Sequence, residues 1–143
     1  MNSLGKYKIK NIKKYKGNYR NVIYRSSWER KFMIYCDSHP SIIQWSSEEM
    51  SIPYVSPIDK KTHRYFPDFV IKKINSKGEK QTLMIEIKPS SQTSKPKMGN
   101  KKSRFIKENI TWQINNAKWK AAENFCQKYG WKFKILTEKE LKI

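Results

Sequence analysis

Acidic residues are scarce in this 143-residue chain: 12 Asp and Glu stand against 31 Lys and Arg, for a formal net charge of +19. A field of that sign draws in polyanions and raises their association rates. Neutralisation of phosphates by Lys and Arg supplies most non-specific nucleic-acid affinity. A lysine-rich coding bias accounts for part of the excess, since Ile, Asn and Lys are all frequent, but does not easily explain why the acids are so few. Long apolar runs are missing as well. None approaches the roughly 20 residues that a membrane span needs, and no membrane partner is expected. The basic N-terminus lacks the apolar core of a signal peptide, so a protein that is not secreted is expected. Cysteine is nearly absent. Cys36 and Cys126 cannot make a disulfide framework, which fits a reducing cytoplasm. A zinc site from Cys36, His39, His63 and Cys126 has no C-x-x-C spacing, and two packed thiols are the better reading.

Apolar and aromatic residues are plentiful: 37% of the chain is hydrophobic, with five Trp and eight Tyr. That is enough for a buried core, and the length suits one domain. Residues 1–20 are lysine-rich with little apolar content and read as a basic arm, either a phosphate-contacting tail or a solvated terminus. Residues 21–143 read as the single domain. Ser26 can cap a helix that carries Trp28, Phe32 and Tyr35 on one face and stops near His39-Pro40. Strand-like stretches follow at 42–45, 50–55, 63–74 and 81–89, with a hairpin turn at Ser76-Lys77-Gly78. Residues 90–103 have no periodicity and read as a loop. From Arg104 to Tyr129 an apolar stripe returns at helical spacing, with a possible break at 109–111 and Gly130 placed as a C-cap. Trp131 to Leu136 alternates like a half-buried strand, and a short helix can begin at Thr137. The order predicts an α/β or α+β sandwich around a mixed sheet.

The candidate chemistry lies on two of these strands. Glu-x-Lys occurs three times, at Glu29, Glu86 and Glu140, so the tripeptide alone decides nothing. Only Glu86 and Lys88 lie in a strand-like run. Alternation puts both on one face, about 7 Å apart, and turns Ile87 with Ile85 and Leu83 to the apolar face. Asp68 stands among Tyr65, Phe66, Pro67, Phe69 and Val70, costly surroundings for a carboxylate unless it is paired or binds metal. If the hairpin pairs the two strands, Asp68 and Glu86 converge, and a hard divalent cation, Mg²⁺ or Mn²⁺, relieves their repulsion. A plain cross-strand ion pair with Lys88 is the competing reading, and spacing leaves the two open. Glu29, on the first helix, is a third acid within possible reach, or an exposed first-turn acid that complements the helix dipole. Glu48, at the edge of the second strand in Ser46-Ser47-Glu48-Glu49, could likewise complete the metal shell, but reads better as a loop acid. Arg25 and Arg64 lie close in sequence to Glu29 and Asp68. Lys95, Lys97, Lys101, Lys102 and Arg104 occupy the loop after the candidate site, where phosphates can be gripped. Trp112 and Trp119 read as core rather than as base-stacking platforms.

Pro67-Asp68 on one strand, Glu86-Ile87-Lys88 on the next and a helix–strand pair after them resemble the PD-(D/E)xK nuclease superfamily. A more extensive resemblance is to the head completion nucleases of large tailed phages, relatives of the TnsA-type transposon endonucleases. It rests on Tyr24 to Glu29, Trp45 to Glu48, Ile52-Pro53-Tyr54, Arg64 to Asp68, Ile85 to Pro89, Thr111-Trp112, Lys118 to Ala122 and Phe133 to Glu138. TnsA-type members often carry Gln ahead of the catalytic Lys, where this chain has Glu86 and Ile87.

The resemblance implies a restriction-endonuclease-like α-β-β-β-α-β core with a mixed central sheet flanked by helices. It implies catalytic roles for Asp68, Glu86, Lys88 and Glu29, a Mg²⁺ or Mn²⁺ site drawn from Asp68, Glu86, Ile87 and Glu29, and double-stranded DNA as substrate. It further implies work in the host cytoplasm or virion head, late in assembly, beside head or portal-region proteins. A structural head component that binds DNA ends suits the charge equally well. A purely RNA-binding or ribosome-associated protein leaves the acids unexplained.

Overall fold

A computed structural model describes residues 4–142. Among the described residues the α-helices and strands are, in order, β1 (Gly5–Lys6), β2 (Ile23–Tyr24), α1 (Ser27–Ser38), β3 (Ile42–Ser47), β4 (Ile52–Val55), β5 (Thr62–Tyr65), β6 (Phe69–Ile74), β7 (Lys80–Ile87), α2 (Lys102–Tyr129), β8 (Lys132–Leu136) and α3 (Glu138–Leu141). The central sheet has the order β3-β6-β7-β8, antiparallel except for the parallel β7–β8 pair. It is the mixed sheet between helices that the sequence order predicts.

Alternation along the strands divides the core into two layers. Ile71 on β6 and Leu83, Ile85 and Ile87 on β7 pack with Phe32, Met33 and Cys36 of α1. Met84, between them in sequence, faces the other way and packs with Trp119, Ala122 and Cys126 of α2. The two cysteines are free, buried and in different layers, as packed thiols should be.

Local signals explain where elements start and stop. Ser26 Oγ accepts the Glu29 N–H at 3.1 Å and caps α1. Gly130 closes α2 with φ 72°, in the left-handed region that glycine adopts without a Cβ penalty. Thr137 and Glu140 form a capping box on α3.

Three expectations are corrected. The stretch from His63 to Ile74 is two strands, not one, because Phe66-Pro67-Asp68 interrupts it. Proline has no N–H for a ladder, and β5 leaves the central sheet to pair with β4 instead. No break occurs at 109–111; α2 is continuous from Lys102 to Tyr129. Finally, the described part of the N-terminal segment is no loose arm. Ile9 and Tyr15 are buried, and Tyr15 meets Trp45 edge-on with centroids 4.8 Å apart. Buried Asp37, on α1, accepts the Lys10 and Asn11 N–H groups at 2.8 and 2.9 Å and the Tyr7 hydroxyl at 2.9 Å. A few apolar anchors thus seat a segment whose composition is otherwise that of a solvated tail; residues 1–3 lie outside the described residues.

Candidate active site

The strand break at Pro67 creates the site. Asp68 directly precedes β6, and the register Phe69↔Ile85 makes it the cross-strand neighbour of Glu86. On its other side, β3 ends beside it: Ser47 pairs with Phe69, and the Glu48 N–H donates to the Asp68 carbonyl at 3.2 Å. Glu48 holds φ 52°, a left-handed conformation uncommon for a residue with a side chain and one that clusters at functional sites. α1 delivers Glu29 in its first turn. Glu29, Glu48 and Asp68 each present a carboxylate oxygen, and the three oxygens lie within 4.8 Å of one another.

The surroundings hold these acids tightly. The Ile87 N–H donates to Asp68 Oδ2 at 2.7 Å. Glu86 is buried; its Oε1 accepts the Tyr65 hydroxyl at 2.7 Å, and Lys88 Nζ stands 3.7 Å from its Oε2. Arg25 grips both oxygens of Glu48 at 2.9 and 3.0 Å. Lys118, on α2, lies 5.9 Å from the Tyr54 ring centroid and 5.8 Å from that of Tyr65.

Burial and crowding show in the protonation equilibria. Burial first, and then the Glu86 charge, push Asp68 well above the ordinary carboxylate range, against the pull of the Ile87 N–H. Burial also raises Glu29, with the Glu48 charge adding to it. Glu86 is raised by burial, opposed by the Tyr65 hydroxyl, Lys88 and Lys118. Such a set of acids holds charge at neutral pH at a cost that a cation offsets. Hard carboxylate oxygens at this separation fit a divalent ion.

The predicted residues meet, with differences of detail. Asp68 and Glu29 share the three-acid cluster, whereas Glu86 stands beside it, tied to Tyr65 and Lys88. The Ile87 side chain is buried in the apolar core, and its main-chain N–H is what reaches Asp68. Glu48 is no loose loop acid but the third member of the cluster. The strand end and left-handed turn that aim it have no mark in Ser46-Ser47-Glu48-Glu49. Tyr65 carries no mark in the sequence, and periodicity leaves Lys118 free to face either the sheet or the solvent, because partners on a hairpin and a distant helix are invisible to spacing along one strand. Among the cations, Arg25 is paired with Glu48, Arg64 is bound to Ser51 with its shortest contact 2.8 Å, and Arg104 pairs with Glu108 at 2.9 Å. Lys95, Lys97, Lys101 and Lys102 are exposed. No helix among the described residues is long and apolar enough to cross a membrane.

A mixed sheet between helical layers, with Asp68 just before β6 and Glu86 and Lys88 at the end of β7, is the arrangement of the PD-(D/E)xK nuclease class. Residues 39–138 match the family model described as TnsA-like endonuclease N terminal. The head completion nuclease of Enterobacteria phage T4 is 43% identical over 143 positions, an alignment covering 96% of this chain and 93% of that protein. The chain belongs to the TnsA-like endonuclease family, and its activity is that of a nuclease.

Proposed function

We propose that this nuclease is a divalent-metal-dependent DNA endonuclease that acts late in phage head assembly, after DNA packaging and before tail joining. The observation that carries the reading is the convergence of the Glu29, Glu48 and Asp68 oxygens within 4.8 Å, beside the Glu86–Lys88 pair. In this proposal Asp68, Glu29 and Glu48 hold Mg²⁺ or Mn²⁺, with Glu86 at the edge of the shell. When bound, that cation lowers the pKa of a ligated water and polarises the scissile phosphoryl oxygen.

The protein's own groups do the rest. Lys88 sits where its ammonium orients the attacking water and stabilises the charge that develops on the phosphate. Tyr65 and Lys118 keep Glu86 oriented and favour its ionised form, so that Lys88 stays in place. Arg25 anchors Glu48 toward the other acids. Lys95, Lys97, Lys101 and Lys102 bind the DNA backbone beyond the site, and the net charge of +19 makes that binding steeply salt-dependent. The likeness to a head completion nuclease supports placing the protein in the host cytoplasm or the virion head, near head or portal proteins.

The test is incubation of purified protein with plasmid and linear DNA in Mg²⁺, Mn²⁺ or EDTA, beside Lys88→Ala. Metal-dependent cutting that vanishes in the variant is the expected result. DNA binding without cutting in any metal transfers the assignment to a structural head component that binds DNA.

A further inference from the structure

Beyond the acids, a cleft of about 450 Å³ opens between the turn that follows β7 and the N-terminal half of α2. One wall is Ser91, Gln92 and Ser94; the other carries Trp112 and Asn115, with Lys107 at the lip. Both walls of the cleft are chain neighbours of residues at the candidate site. Ser90, where the turn begins, is two residues beyond Lys88 on the same chain. Asn115 is one helical turn before Lys118, the lysine whose charge favours ionised Glu86.

The lining has a specific chemistry. Asn115 is 7% exposed, yet its amide makes no hydrogen bond among the described residues and opens into the cleft. Its amide atoms are reached from the cleft rather than sealed, since the only buried side-chain polar atoms without a partner among the described residues are the Trp45 and Trp119 indole nitrogens. Gln92 adds a second amide, and Ser91 and Ser94 add hydroxyls, giving the paired donors and acceptors that match a nucleobase edge. Trp112 is only half-buried, whereas Trp119, its edge-on neighbour at 6.4 Å, belongs to the core. Trp112 packs against that core with part of its ring and lines the cleft with the rest, so, unlike the core role expected from its sequence, it offers an indole surface on which a base can stack. Lys107 and nearby Lys101 and Lys102 supply charge for the attached phosphates. A cleft of about 450 Å³ has room for a single nucleotide.

The turn is itself held in place. Glu138 of α3 accepts the Ser90 N–H and the Ser90 hydroxyl, each at 2.7 Å. The wall is thus braced from the far end of β8 rather than free to fold over the site.

We infer that this cleft binds an unpaired nucleotide next to the scissile phosphate, so that the enzyme prefers DNA ends with a single-stranded overhang over blunt or continuous duplex. This inference rests on the nuclease reading for the position of the scissile phosphate, but it is a statement about binding. It is tested by fluorescence anisotropy in EDTA with labelled duplexes that are blunt, 5′-overhanging or 3′-overhanging, using wild type, Trp112→Leu and Gln92→Ala. Wild type should bind one overhanging duplex about tenfold more tightly than the blunt one, the scale of a single base stack. Both variants should lose most of that ratio while their blunt-duplex affinity stays at the wild-type value. Gln92 is exposed on the turn, so its substitution leaves the fold intact even if Trp112→Leu weakens the second core layer. Equal wild-type affinity for all three duplexes, or a preference that survives both substitutions, overturns the inference. Cutting of blunt DNA without any overhang preference defeats this inference alone. Overhang preference without metal-dependent cutting defeats the nuclease mechanism alone.

Discussion

The main-chain N–H of Ile87 donates to the Asp68 carboxylate at 2.7 Å, so the strand carrying Glu86 and Lys88 also fixes the acid on its neighbour. One peptide plane thereby sets the spacing of Asp68 from both residues. Asp68→Asn separates charge from shape, because the amide oxygen still accepts that N–H. Cleavage should fall below detection. In EDTA, however, the variant should melt at a higher temperature than wild type, since it no longer buries a carboxylate among other acids. Calorimetry of the two proteins without metal checks this. A lower melting temperature for Asp68→Asn would mean that the carboxylate is a net stabilising group.

The same crowding sets a pH dependence. Asp68, Glu29 and Glu86 all titrate above the ordinary carboxylate range when folded. An acid whose folded pKa is raised contributes stability below its unfolded value, about 4, and loses it as pH rises through the folded value. Metal-free protein should therefore become less stable as the pH climbs from about 4 toward neutrality. Saturating Mg²⁺ or Mn²⁺ should flatten that decline by binding the ionised acids. Thermal melts across pH, with EDTA or metal, measure it. Identical pH profiles in the two conditions would argue that the cluster does not bind the cation.

Glu48 gives the third prediction. Its left-handed backbone and two-point contact with Arg25 place its carboxylate near Asp68 and Glu29. Glu48→Gln should weaken divalent-metal binding about tenfold or more, a change that even outer partners of metal ligands produce. Isothermal titration with Mn²⁺ reads the affinity directly. Arg25→Gln should loosen the same carboxylate and weaken metal binding less. Unchanged Mn²⁺ affinity in Glu48→Gln would remove this residue from the shell.

The difference between Glu86–Lys88 and Glu48 shows what the sequence can carry. Glu86 and Lys88 are legible because a strand's two-residue repeat fixes their shared face and puts Leu83, Ile85 and Ile87 on the other. Asp68 is legible because a carboxylate between Pro67 and Phe69 is costly without a partner. α1, with its Ser26 cap, and the Gly130 stop of α2 follow from equally local rules. Glu48 reaches the site only because β3 pairs with β6 and then turns left-handed, a fact of sheet order rather than of spacing. The split of 63–74 into β5 and β6 is of the same kind: Pro67 marks the break, but nothing local says that β5 changes partners. The N-terminal segment misleads for the opposite reason, since its lysines outnumber the few side chains that anchor it.

The polar contacts of that segment converge on Asp37, which is 2% exposed near the end of α1. Its carboxylate accepts two main-chain N–H groups and the Tyr7 hydroxyl, while its carbonyl accepts Asn11 Nδ2 at 2.6 Å and Lys14 Nζ at 3.2 Å. Burial and the bond to Asp37 together raise Tyr7 above the ordinary phenol range, so that hydroxyl stays a donor at any pH at which the protein is handled. Asp37→Ala strips three donors of their acceptor at once. A hydrogen bond to a charged group is worth about 1.5–3 kcal/mol, and donors that can turn to water recover part of it, so a loss of about 2–4 kcal/mol is expected. The loss should be local as well as global. Residues 5–16 carry Lys6, Lys8, Lys10, Lys13, Lys14 and Lys16, and a lysine-directed protease should cut there in Asp37→Ala long before it cuts wild type. Asp37→Asn, which keeps two acceptor lone pairs but no charge, should fall between the two. If Asp37→Ala resists both heat and protease as wild type does, the segment is held by Ile9 and Tyr15 alone, and the lysine-rich strip owes its place to apolar packing rather than to this carboxylate.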